Sequence, residues 1–200
     1  MPLVYLGRAE EALRELPLAQ QLAGAEPLAQ DSALRMVLLA HAGRGDEARA
    51  QLQAFRAVLQ ERQGELELVF ALITAVTLGD ARVGNLAAAA LAGDVDYGET
   101  IDFRTLTCTA RYLGALAALQ GDRDAAKRRY AQALAVAARV RSRPETALTH
   151  LALAELLLEG DAAEQRQAQE HLDLAIAEFR AMKMQPALAQ ALSHRDVLQA

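Results

Sequence analysis

Tryptophan is absent from this chain, cysteine occurs once, and aromatic residues fill only 4% of its 200 positions. Each scarcity excludes something. The single cysteine, Cys108, cannot close an internal disulfide and fits a reducing compartment. No stretch supplies the roughly 18 uninterrupted apolar residues of a membrane span; residues 66–78 come nearest and are too short and too interrupted. The opening Met1-Pro2-Leu3-Val4-Tyr5-Leu6 lacks the charged start of a signal peptide, so a cytoplasmic protein that binds no membrane is expected. A net charge of −5 argues against non-specific binding to nucleic acid. With only five prolines and no sustained alternation of apolar and polar residues, the chain also gives little reason to expect strands.

What remains is alanine and leucine, which carry most of a 52% hydrophobic content and favour helix almost everywhere. A phrase recurs: Gly7-Arg8-Ala9-Glu10-Glu11-Ala12, Gly43-Arg44-Gly45-Asp46-Glu47-Ala48 and Gly121-Asp122-Arg123-Asp124-Ala125-Ala126, with echoes at Gly79-Asp80-Ala81 and Gly160-Asp161-Ala162. The glycines are 36, 36, 42 and 39 residues apart, the period of stacked helix–turn–helix repeats. They mark helix C-termini closed by a left-handed residue, and the acids after them fall in the first turn of the next helix. About ten helices are expected, over 9–23, 29–42, 45–62, 65–78, 82–92, 101–120, 123–141, 145–159, 163–182 and 185–198. In the seventh of these, Ala126, Tyr130, Ala133, Leu134 and Ala137 form one stripe. On the preceding helix Gly114 and Ala117 permit close approach of the two backbones.

Residues 110–133 resemble a tetratricopeptide repeat (TPR). Leu113-Gly114, Ala117, Gly121-Asp122, Ala126, Tyr130 and Ala133 fall at that family's signature spacings, with alanine where the family has tryptophan. The same grid fits Gly7, Ala12, Leu16 and Ala19, and again Gly43, Ala48, Leu52 and Phe55. It fits Leu153-Ala154, Leu157, Gly160, Ala168, Leu172 and Ala175 once residues 164–167 are treated as an insertion. The resemblance implies an all-α fold, a right-handed superhelical solenoid of TPR type. Residues 1–92 would form an N-terminal sub-array whose first repeat is truncated, residues 93–102 an acidic hinge, and residues 103–200 a C-terminal sub-array. The truncation suggests a piece of a longer array, a start assigned too late, or an end covered by another chain. Leu3, Val4, Tyr5 and Leu6 would form the stub of a buried helix, and a homodimer through that end is one expectation.

Sites of chemistry are scarce. Asp94, Asp96, Gly98 and Glu99 lack the remaining oxygen ligands of a calcium loop. His41, His150, His171 and His194 stand singly, without the three or four convergent ligands that zinc needs. Cys108 has no partner for nucleophilic work, and Gly43-Arg44-Gly45 follows a helix, unlike a phosphate-binding loop. No metal, cofactor or catalytic residue is therefore expected. From 122 to 143 seven cations stand against two acids. This is either a solvated helix face or a patch for an acidic partner, with Lys127, Arg128 and Arg129 as its side chains.

By analogy with the TPR family, the first helix of each pair lines a groove. That implies partner-binding positions at Cys108, Arg111, Ala115 and Ala118, with Arg111 an anchor for a peptide carboxylate. The groove looks apolar and suits an amphipathic helix or a segment of the chain itself. The last repeats, ending in residues 171–187, look like the C-terminal TPR region of large bacterial signalling ATPases and LuxR-type transcription regulators. This implies a non-enzymatic regulatory scaffold for protein–protein interaction. A small-molecule sensor closing across residues 93–102 is the alternative.

Overall fold

The structure, a computed structural model, describes residues 2–23, 29–58, 64–92, 101–102 and 107–199. Eleven helices account for nearly all of them: α1 (Pro2–Tyr5), α2 (Ala9–Ala23), α3 (Ala29–His41), α4 (Gly45–Val58), α5 (Glu65–Thr77), α6 (Ala81–Leu91), α7 (Thr109–Leu119), α8 (Arg123–Arg139), α9 (Arg143–Leu158), α10 (Ala162–Met182) and α11 (Gln185–Gln199). The expected helix over 101–120 begins only at Thr109; before it, β1 (Ile101–Asp102) pairs antiparallel with β2 (Thr107–Cys108). The reason is local: Ile101 and Thr107, one in each strand, are β-branched. Among the described residues all other regular structure is helical.

The turns show how the repeated glycine phrase works. At Gly79 and Gly121 φ is 71° and 77°, a left-handed conformation that glycine adopts without steric cost. The next residue is an aspartate serving two helices. Asp80 N–H donates to Ala75 O (2.8 Å), closing α5, while its carboxylate accepts from Val83 N–H (3.0 Å), opening α6. Asp122 repeats this between α7 and α8, with Ala117 O at 3.0 Å and Ala125 N at 2.9 Å. Both helix ends lose an orphan backbone group to one residue. Gly160 is not left-handed; the ends of α8 and α10 instead use Arg141 (φ 55°) and Lys183 (φ 58°).

The chain divides into two compact units, residues 7–97 and residues 98–200 together with Met1–Leu6. The division falls inside the segment expected as a hinge, of which residues 93–100, including the acidic loop, lie outside the described residues. In the unit of residues 7–97, α5 packs between α3 and α6. It is apolar on all sides, with Leu66 and every residue from Leu68 to Ala75 buried, as a helix wrapped by neighbours must be. In the other unit α9 is central. One of its faces packs Ala147, Leu151, Ala154 and Leu157 against Ala168, Leu172, Ala175, Ile176 and Phe179 of α10. Another packs Leu153 and Leu156 against Ala126 and Tyr130 of α8. The close approach expected at Gly114 is present: a Cβ there would lie 2.6 Å from Tyr130 Cδ1.

No helix among the described residues is long and apolar enough to cross a membrane.

Candidate functional site

Three helices of the unit of residues 98–200 present polar side chains to one another where the sequence suggests a groove. Helix α7 places Arg111 third in its first turn, and α9 places Glu145 just after Pro144, in its first turn. A carboxylate there is favoured by the N-terminal end of the helix dipole. The guanidinium grips it in a fork, Nε to Oε2 at 2.9 Å and Nη2 to Oε1 at 3.0 Å. The Glu145 side chain is fully buried and that of Arg111 is 12% exposed. The Tyr112 ring lies 4.2 Å below the guanidinium carbon. From the far end of the sequence, Tyr5 Oη donates to Glu145 Oε1 at 2.6 Å.

The last contact reports where the N-terminal stub goes. Helix α1 packs on α11, Val4 is buried, and Tyr5 lies against the α9–α10–α11 core. Its cover comes from the same chain. Burial, and then the Glu145 charge, holds the Tyr5 phenol well above its ordinary pKa. Burial alone would lower the pKa of Arg111, but Glu145, aided by Tyr112 and Tyr5, carries it well upward. The three groups thus form a neutral, mutually saturated set: an ion pair whose carboxylate accepts two guanidinium N–H groups and one phenol. Such a set holds a segment in place and leaves no free base for proton transfer.

The expected groove positions are therefore distributed unevenly. Cys108 is closed off from solvent, its Sγ 4.0 Å from Ala133 O, and burial followed by the Glu145 charge raises its pKa. It belongs to the core and lines no groove. Arg111 is committed to Glu145, so it does not present a free guanidinium to a peptide carboxylate. Ala118 packs beside the Ala126–Tyr130 cluster, and Ala115 is half-buried.

The basic stretch is also largely engaged. Arg123 Nη2 and Lys127 Nζ bind opposite oxygens of Glu164, at 2.9 and 2.5 Å, while Arg123 Nη1 donates to Leu156 O at 2.7 Å. Glu164 sits in the apparent insertion at 164–167, so that irregularity staples α8 to α10. Arg143 pairs with Glu178 at 2.8 Å, Arg129 donates to Gln132, and Arg128 is exposed. The three residues expected to form one acidic-partner patch thus have three different surroundings.

One contact went unforeseen. His150 and His171, expected to stand singly, meet with Nδ1 atoms 2.8 Å apart. His194 also has a partner, Glu155 Oε1 at 2.9 Å. The signal for the first pair lies in the turn: His150 is ten residues before Gly160 and His171 ten after Asp161, so antiparallel helices bring them level. Among the described residues no group of three or more His, Cys, Asp or Glu could hold a metal ion. No protein-family model matches the chain, and neither curated proteins nor solved structures give a significant match.

Proposed function

We propose that the chain is a non-enzymatic scaffold of tetratricopeptide type, a right-handed helical-repeat solenoid that docks a protein segment on the α7–α9–α11 side of its C-terminal unit. Recurrent Gly–Asp turns and the Gly114–Tyr130 contact, at positions matching that family, support the architecture. One observation carries the docking reading: a short apolar segment, α1, is held there through the Tyr5 hydroxyl on Glu145. Because Arg111 is already neutralised, the chemistry favours an apolar, hydroxyl-bearing segment over an acidic tail. An amphipathic helix presenting one hydroxyl donor beside its apolar face fits that description. The resemblance of the last repeats to bacterial signalling ATPases and LuxR-type regulators makes the role regulatory.

In this reading α1 competes with the partner, which lowers apparent affinity by the fraction of time the face is covered. Fluorescence anisotropy of the full chain against a panel of labelled amphipathic helices tests it. Tyr5→Ala should bind at least one helix about tenfold more tightly than the wild type, and adding Glu145→Gln should remove that gain. If wild type and Tyr5→Ala are equally inert towards every helix, the docking reading fails.

A further inference from the structure

The meeting of His150 and His171 has a definite geometry. Their ring centroids are 5.0 Å apart and their Nδ1 atoms 2.8 Å apart. The difference is close to twice the distance from a ring centre to its own nitrogen. Both nitrogens therefore lie almost on the line joining the rings. That is the arrangement of a near-linear N–H···N hydrogen bond. Two imidazoles sharing a metal ion would instead aim both lone pairs at a point off that line.

We propose that His150 and His171 form a proton-operated clasp between α9 and α10, closed by one bridging proton and opened when both rings become charged. In the neutral pair one Nδ1–H donates to the other Nδ1, and the donor ring's Nε2 keeps a free lone pair. A first proton from solvent adds to that Nε2. The bridge survives as a charge-assisted bond from an imidazolium. A second proton has only the acceptor's Nδ1 to occupy, and so takes the lone pair that received the bridge. Two N–H groups on two cations then face each other and the rings must part.

The surroundings favour resistance to that second charge. Burial, then the opposing ring, lowers the pKa of His150; burial lowers that of His171, against a contrary pull from Glu170. Several charged groups on adjoining elements are paired elsewhere: Arg111 of α7 with Glu145, Arg123 and Lys127 of α8 with Glu164, Arg143 with Glu178, and His194 of α11 with Glu155. With folded-state values below the unfolded one, the clasp's contribution is complete above the unfolded pKa. It is lost as pH falls from about 6.5 through the folded values.

Ring-nitrogen NMR of the full chain between pH 8 and 4, paired with thermal unfolding at each pH, tests the clasp. The wild type should titrate His150 and His171 in two steps more than about one pH unit apart, with the melting temperature falling across the second. In His171→Gln, His150 should titrate once, closer to about 6.5, and the fall over that second step should vanish; His150→Gln should behave as its mirror image. Coincident titration of both rings in the wild type, which needs no folded variant, would overturn the proposal. So would identical stability–pH profiles in the wild type and both variants.

Discussion

In the unit of residues 7–97, Arg8 pairs with Glu11, Arg44 with Glu47 and Arg49 with Asp46, each three residues away on the same helical turn. In the unit of residues 98–200, Arg111–Glu145, Arg143–Glu178, Lys127–Glu164 and Arg123–Glu164 join residues 34, 35, 37 and 41 apart. The first kind of pair decorates a helix that would form without it. The second kind tells one helix which other helix to pack upon, and in which register. In residues 7–97 one longer contact, Arg44 Nη1 to Glu10 Oε2 at 4.0 Å, also joins residues 34 apart, but both side chains are exposed, and apolar bulk carries most of the partner choice through α5, buried on all sides. The proposed docking face and the proposed histidine clasp both lie in the unit where such long-range pairs are the more numerous.

The contrast can be broken most directly at Glu145. Glu145→Ala strands the almost buried Arg111 guanidinium, at a cost of about 3–5 kcal/mol. Urea unfolding followed by hydrogen exchange should show protection falling in α7–α9 while α3–α6 keep theirs. An equal loss in both units would erase the distinction. Gly114→Ala, which puts a methyl group 2.6 Å from the Tyr130 ring, should cost about 1–3 kcal/mol by the same assay. Asp122→Ala removes the cap of α8 and should cost about 0.5–2 kcal/mol. Its counterpart after Gly43, Arg44→Ala, deletes two solvent-exposed pairs, with Glu47 and Glu10, and should move the urea midpoint least of the four.

The local features were the legible ones. Helix positions followed from alanine-rich periodicity and glycine spacing, and Gly114 announced its contact with Tyr130 because a missing side chain leaves room for a ring. The short β pairing before α7 is not legible because two residues in each strand are too few to outweigh a helical background. Arg141 and Lys183 gave no sign that they end helices left-handed, since that conformation normally announces itself as glycine. The site was harder still. Arg111 stood out as a groove residue, yet its carboxylate lies 34 residues on and its phenol near the N-terminus, distances over which periodicity says nothing. The histidine pair could have been found by folding the sequence between Gly160 and Asp161 and comparing positions at equal distance.

Cys108 has a practical consequence. It is the chain's one thiol, fully shielded by the packing of α7 against α8 and kept protonated by its surroundings. A thiol reagent can modify it only when that packing opens. The modification rate is thus a built-in clock for excursions of the C-terminal unit, requiring no engineered label and silent to events confined to residues 7–97.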